Sequence, residues 1–371
     1  MTHRDYSAAV LIGRFQPFHN AHKEVIEHAL DIADKVIILV GSSHAAPTPK
    51  NPFTFEERKD MILSSFSEDE SWGQGIHVEP IRDYFYSDDM WLAQVQAVIS
   101  NYIEDGETVA LMGHYKDASS YYLNYFPQWE FAHTLPTMNL DATTIREALF
   151  GATVSRVWAD KAPEGQPVID DKELEGLSQF LMDTVPCSDG SPSVFEFIND
   201  FTKTQRFGRL AEEFKANLAY RESWDVAPFP PTFITADAVV TCGGHVLVVT
   251  RGGNPGKGLL ALPGGFVRSS ERIKDAAVRE LKEETRIKVD KPVLKRAIVD
   301  SEVFDYPQRS ERGRTVTHAY HIKLEGKLPE VKLTGADDAV KCQWMPFVEV
   351  MRRADEFFED HIHIINNFIT S

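Results

Sequence analysis

The chain has 371 residues, more than one ordinary hydrophobic core accommodates, so two domains are expected. Its composition, 43% hydrophobic and 26% charged, is that of a soluble globular protein, and no apolar run reaches the length of a membrane span. The net charge of −17 excludes nonspecific binding to nucleic acid or to an anionic membrane, although local arginines and a divalent cation can still hold anionic nucleotides.

Residues 1 to 150 alternate strand and helix patterns. Strands are expected at Ala8–Ile12, Lys35–Val40, His77–Ile81 and Thr108–Met112, and helices at Lys23–Ala33, Phe55–Phe66 and Trp91–Tyr102. Repeated βα units predict a parallel, doubly wound sheet with ligands at the carboxyl ends of its strands. Residues 151–228 read differently: a Pro163/Gly165/Pro167 loop, a helix at Asp171–Met182, a polar turn at Cys187–Pro192, and one or two amphipathic helices over Val194–Arg221. This is expected to be a helical tail and connector, ending at the proline-rich Trp224–Pro231. From residue 229 a mixed α/β domain is expected. Ala238–Thr250 reads as a hairpin turning at Gly243-Gly244, strands follow at Leu294–Val303, Thr315–Leu324 and Ala339–Trp344, and a helix spans Phe347–Phe368. Cys187, Cys242 and Cys342 stand far apart without a CxxC pair and read as reduced thiols, with no zinc site. The chain opens into a strand-like segment without a signal-peptide pattern, so the expected location is cytoplasmic.

After the first strand comes Gly13-Arg14-Phe15-Gln16-Pro17-Phe18-His19-Asn20-Ala21-His22, opening a helix. A helix start offers free N–H groups and the positive end of the dipole, and His19 and His22, three apart, can reach one phosphate. Gly13 lets backbone approach the ligand. A second motif, Leu140-Asp141-Ala142-Thr143-Thr144-Ile145-Arg146, opens a later helix with an arginine. Together they resemble the HxGH and ISSTxIR motifs of the nucleotidyltransferase superfamily, with Ala21 in place of the usual glycine and Asp141 and Ala142 in place of the two serines.

Gly41-Ser42-Ser43, Lys50-Asn51-Pro52-Phe53-Thr54, Asp83 and Trp91 resemble the archaeal-type nicotinamide mononucleotide adenylyltransferases. That resemblance implies that Gly13, Phe15, His19, His22, Thr143 and Arg146 bind ATP. It also implies that Arg14, Lys50, Asp83 and Trp91 bind nicotinamide mononucleotide, with His19, His22 and Arg146 catalytic. The Gly113–Tyr122 block, Phe126-Pro127-Gln128-Trp129 and the Ser223–Phe233 junction are similar to a bacterial fusion of this enzyme to a Nudix hydrolase, and the likeness runs along nearly the whole chain.

In the second half, five residues separate Gly265 from Glu271, seven more precede Arg279, and Glu280, Glu283 and Glu284 follow. On a helix the last three project from one face, and so much negative charge suits a hard divalent cation, Mg²⁺ or Mn²⁺. The spacing resembles the Nudix box. The resemblance implies Glu280, Glu283 and Glu284 as metal ligands and catalytic groups, Gly264 and Gly265 as the loop, and Glu271 and Arg279 as braces. Arg286 stands where the box usually has glycine; an altered local backbone and retained metal binding are expected. Arg251, Arg309, Arg312 and Arg314 are candidates for phosphate contacts or plain surface groups, and Glu302, Glu311, Asp337 and Asp338 for the general base.

The expected architecture is therefore α/β: a Rossmann-like nucleotidyltransferase domain over 1–150, a connector over 151–228, and a Nudix α/β/α domain over 229–371. The resemblance implies transfer of AMP from ATP to nicotinamide mononucleotide, giving NAD and pyrophosphate, and hydrolysis of ADP-ribose to AMP and ribose 5-phosphate. Two alternatives stay open: a second half that senses ADP-ribose or NAD without cleaving it, and a transferase preferring nicotinate mononucleotide. The connector and terminal helix supply apolar faces either for a homo-oligomer or for packing within the chain.

Overall fold

The computed structural model describes residues 4–66, 75–113, 123–134, 136–138, 140–151, 171–187, 193–331 and 339–370. Asp337, Asp338, the segment 114–122, the Pro163–Pro167 loop and residues 188–192 of the polar turn lie outside the described residues. The chain divides into two compact units, Met1–Phe214 and Lys215–Ser371, so the helices after residue 171 belong to the first unit until the division falls within one of them.

The first unit is built on five parallel strands, β1 (Tyr6–Gly13), β2 (Ala33–Val40), β3 (Ile76–Pro80), β4 (Val109–Gly113) and β5 (Glu130–His133), in the order β3-β2-β1-β4-β5. The reversal of order at β1 places a crevice beyond the strand ends, where open α/β sheets bind ligands. Side chains alternate across β1 and β2, and both faces are covered. Ala9, Leu11, Val36 and Ile38 join one buried cluster, while Ala8, Val10, Ile37 and Leu39 join another. The first cluster packs α1 (Asn20–Ile32), α2 (Phe55–Ser64) and α4 (Ala142–Gly151), together with α5 (Asp171–Thr184), α6 (Val194–Thr202) and the start of α7 (Gln205–Glu222). The second packs α3 (Asp88–Ile99). Helix α2 begins with a complete capping box: Thr54 accepts from Glu57 N, and Glu57 accepts from Thr54 N at 2.8 Å. Such a cap contributes about 1 kcal/mol.

The second unit carries a mixed seven-stranded sheet of β6 (Phe233–Cys242), β7 (His245–Arg251), β8 (Leu260–Ala261), β9 (Gly264–Phe266), β10 (Ile298–Phe304), β11 (Thr315–Leu324) and β12 (Ala339–Pro346), ordered β10-β11-β6-β7-β12 with β8 on β7 and β9 on β6. Strand β6 (Phe233–Cys242) turns through Gly243 and Gly244, both at positive φ, into β7 (His245–Arg251). Its amino-terminal half instead pairs β9 (Gly264–Phe266), with Asp237 opposite Gly264. After β8 (Leu260–Ala261) and β9 comes α8 (Ile273–Thr285), which buries Ala276, Ala277, Val278 and Leu281 against β6 and β11 (Thr315–Leu324). Strand β12 (Ala339–Pro346) closes the far edge.

Several expectations need correction. Leu294 lies on a short helix, α9 (Lys291–Arg296), because Asp290 stands at its N-cap and Pro292 in its first turn; strand β10 (Ile298–Phe304) starts only afterwards. The terminal helix is broken into α10 (Phe347–Arg352), a 3₁₀ turn (Ala354–Glu356) and α11 (His361–Thr370). Between the last two, Glu359 takes φ +47° and Asp360 is fully buried. At Arg286 the backbone is not altered. The residue ends α8 at φ 46°, ψ 32°, the left-handed conformation that glycine usually supplies there, and its N–H donates to Lys282 O at 3.1 Å.

Candidate active sites

The first site forms where β1, β2 and β3 end. Gly13 is the last residue of β1, and a side chain there would meet the Phe15 ring, whose Cζ lies 2.9 Å from an added Cβ. The glycine therefore makes room for Phe15, which is buried at φ +52°. His19 is the N-cap residue of α1 and is buried; His22 follows in the first turn. Their rings stack at 3.5 Å between centroids, and Phe15 meets His22 edge-on at 4.8 Å. Ala21 is buried and leaves this turn intact.

Helix α4 is drawn to the same loop. Arg146 donates to Gln16 O at 2.6 Å and to Thr143 Oγ1 at 3.1 Å. Asp141, which replaces a serine of the family motif, accepts from Thr143 N at 2.8 Å and Thr144 N at 3.0 Å, so it caps α4 itself. Glu24 of α1 accepts from Thr137 N and Oγ1, both at 2.7 Å, tying the histidine-bearing helix to the segment before α4. On the other side, the Gln16 side chain pairs with the Phe53 backbone in both directions, at 2.8 and 3.0 Å. Gln16 thus joins the histidine loop, the arginine helix and the Lys50–Thr54 stretch, a role that sequence reading missed.

Arg14 is exposed, and Lys50 lies in a turn closed between Thr48 and Asn51. Asp83 accepts from Ser42 N at 3.2 Å, binding the loop after β3 to the loop after β2. Trp91, in the first turn of α3, is half-buried and packs 5.9 Å from Phe126, which itself stacks on Trp129 at 4.5 Å.

The second site lies between β9 and α8. Arg279 is its internal clasp: it donates to Glu271 at 2.6 Å, to Glu280 at 2.6 Å, to Glu283 at 3.0 Å and to Phe266 O at 3.2 Å. Hydrogen bonds from Arg279 hold the Glu271 carboxyl down at about 2. Glu284 accepts from Gly264 N at 3.1 Å. Burial pushes the Glu284 carboxyl up to about 8, and the charges of Glu280 and Asp237 add to the rise. Burial also raises Glu280.

A Cβ on Gly264 would fall 2.0 Å from Asp237 Oδ1, and one on Gly265 would fall 2.7 Å from Glu280 Oε1. These glycines exist for space, since two acidic side chains press on the loop backbone. Among the described residues no ready-made metal cluster is found, and Arg279 and Gly264 N engage the glutamates. The donor set nevertheless fits a hard cation: it is oxygen-only, and the Glu280 and Glu284 carboxyls crowd against the Gly264-Gly265 backbone.

Of the loop arginines, Arg309 is buried in a two-point pair with Asp360, so it is a structural group. Arg314 donates to Asp305 O. Arg251 and Arg312 instead lie over the Phe358 ring at 4.1 and 5.9 Å. Among the general-base candidates, Glu302 accepts from Asn367 at 2.7 Å and Glu311 from Asn217 at 3.4 Å.

A parallel sheet with paired histidines and an arginine at its strand ends, together with a glycine loop on an acidic helix, defines a nucleotidyltransferase domain joined to a Nudix domain. Residues 10–148 match the cytidylyltransferase-like family and residues 231–368 the NUDIX domain family. A bifunctional NMN adenylyltransferase/ADP ribose pyrophosphatase from Francisella tularensis is 34% identical, with a TM-score of 0.86 over 99% of both chains. A second crystal structure from that organism, complexed with AMP and Mn ion, gives 34% identity and a TM-score of 0.85 over 98% of this chain and 99% of that one. A nicotinamide/nicotinic acid mononucleotide adenylyltransferase from Acinetobacter baylyi is 40% identical over 173 residues, 46% of this chain and 83% of that protein. The chain belongs to the bifunctional NMN adenylyltransferase/ADP-ribose pyrophosphatase family.

Proposed function

We propose that the first unit joins nicotinamide mononucleotide to the adenylyl group of ATP, giving NAD and pyrophosphate, and that the second hydrolyses ADP-ribose to AMP and ribose 5-phosphate. The observation that carries this reading is the joining of His19, His22 and Arg146 through one loop, in a chain alike over its full length to a two-activity enzyme. In the transfer, a mononucleotide phosphate oxygen attacks the α-phosphorus of ATP as the bond to pyrophosphate breaks. The nucleophile is already an anion, so no base is required and the residues' task is to position and to neutralise charge. His19, His22 and Arg146 serve the triphosphate with Thr143, Gly13 and Phe15. Arg14 and Lys50 hold the mononucleotide phosphate, Asp83 orders its loop, and Trp91 offers a ring face to the base.

In the second unit, Glu280, Glu283 and Glu284 are the residues that would hold a divalent cation, Mg²⁺ or Mn²⁺. Such an ion supplies a water of lowered pKa and neutralises the diphosphate. Arg279 and Glu271 keep that helix face in register, and Gly264 and Gly265 bring the loop backbone against it.

The test is separation of activities. His19→Ala should abolish dinucleotide synthesis and leave ADP-ribose cleavage intact, and Glu283→Gln should do the reverse. Loss of both from either single change in a folded protein would refute two independent sites. Comparing kcat/KM for nicotinamide and nicotinate mononucleotides then fixes the acceptor.

A further inference from the structure

Arg58, 1% exposed, is the bulkiest fully buried side chain among the described residues, and no motif accounts for it. Its guanidinium faces main-chain oxygens. Nε donates to Thr54 O at 3.0 Å, Nη1 to Arg14 O at 2.6 Å and Gly41 O at 2.7 Å, and Nη2 approaches Ser42 O at 3.4 Å. Burial lowers the Arg58 pKa to about 10, against the opposing charges of Asp83 and Glu57, so the group remains a cation at neutral pH.

The two carbonyls on Nη1 have something in common. Arg14 precedes Phe15 at φ +52°, and Gly41 precedes Ser42 at φ +51°. Left-handed backbone strains a residue that bears a side chain, and it persists where surrounding contacts over-determine it. One nitrogen therefore pins both strained turns, at the carboxyl ends of neighbouring strands β1 and β2. Two further bonds complete the frame: Gly41 N to Gly13 O at 2.8 Å, and Ser42 N to Asp83 Oδ1 at 3.2 Å. The frame spans the loops bearing Arg14, Lys50 and Asp83. The triphosphate groups His19, His22 and Arg146 have ties of their own, through Gln16 O and Glu24, and meet this frame only at Phe15 and through the Gln16–Phe53 pairing.

We propose that Arg58 is a positioning residue for the mononucleotide half of the first site, fixing two strained turns in the arrangement that accepts a nucleoside monophosphate. This rests on the transferase reading above.

The experiment measures KM for nicotinamide mononucleotide and for ATP separately in the full chain, for wild type, Arg58→Lys, Arg58→Met, and each combined with Ser42→Gly. Lysine keeps the charge and loses the fork. Arg58→Lys should raise the mononucleotide KM about tenfold or more while the ATP KM moves less than about threefold, as expected for loss of one or two charged hydrogen bonds. Ser42→Gly removes the cost of the left-handed turn, so it should recover roughly threefold of that loss. A merely structural role would move both KM values together, follow the fall in Tm, and gain nothing from the glycine. Equal rises in both KM values, values within about twofold of wild type, or no recovery by Ser42→Gly would overturn the proposal. If Arg58→Met fails to fold, Arg58→Lys decides. If wild type makes no dinucleotide, the transferase reading fails, and calorimetric affinity for the mononucleotide in wild type and Arg58→Lys still decides the role of Arg58.

Discussion

Arg309 and Asp360 form a two-point ion pair, at 2.8 and 2.7 Å, with side chains 2% and 0% exposed. Burial works against the Arg309 charge, but the Asp360 carboxylate outweighs it and raises its pKa. Removing one partner strands the other as a buried charge. Arg309→Met should therefore destabilise the second unit by about 3–5 kcal/mol, and Arg309→Met/Asp360→Leu should recover most of that. Denaturant unfolding of the single and double variants checks both outcomes.

Arg286 occupies a left-handed C-terminal position at φ 46° on the solvent side of α8. Arg286→Gly should raise stability by about 1 kcal/mol, since relief of the left-handed strain exceeds the added freedom of the unfolded chain. ADP-ribose hydrolysis should be unchanged. A thermal melt that moves downward would contradict this account.

Arg146 bridges Gln16 O and Thr143 Oγ1 from a buried position. Arg146→Met should lower kcat for dinucleotide synthesis by roughly 10²–10³-fold, the scale for loss of a preorganised donor, with ADP-ribose cleavage unaffected. Steady-state assays of both reactions on one preparation supply the comparison.

The Tyr102 hydroxyl donates to Glu79, and this bond, with burial and the Glu79 charge adding to it, raises its pKa to about 12. A group raised in the folded state contributes stability that is complete below its unfolded pKa, about 10, and lost as pH rises through the folded value. The first unit should lose stability between about pH 10 and 12, and Tyr102→Phe should flatten that slope. Urea titrations at successive alkaline pH values measure it.

Much of this was legible in the residues, for identifiable reasons. Strands β1, β2 and β4 are buried on both faces, so they read as unbroken apolar runs. Strand β5 was missed because Glu130–His133 has only four residues and none is fully buried. Apolar content misled at Leu294, where Asp290 and Pro292 mark a helix start, and again at the terminal helix, which stops to admit the Arg309–Asp360 pair. Both phosphate motifs were visible because their residue types are unusual in their places. Gln16 and Arg58 were not, because a polar side chain that bonds distant backbone leaves no local pattern. The one available hint was a cation three and four residues before Met61 and Ile62, on the one face of an otherwise charged helix that is buried.

The loop at Gly264 and Gly265 has a consequence for how this enzyme can vary. Neither glycine has positive φ, so any residue suits the backbone there, and only volume forbids it. A methyl at Gly265 meets a glutamate tip that can swing aside, whereas one at Gly264 meets both Asp237 and the Ala236 carbonyl, which cannot. Drift at Gly265 thus requires only that Glu280, the candidate cation ligand clasped by Arg279, be displaced, while at Gly264 it is shut unless a whole strand moves.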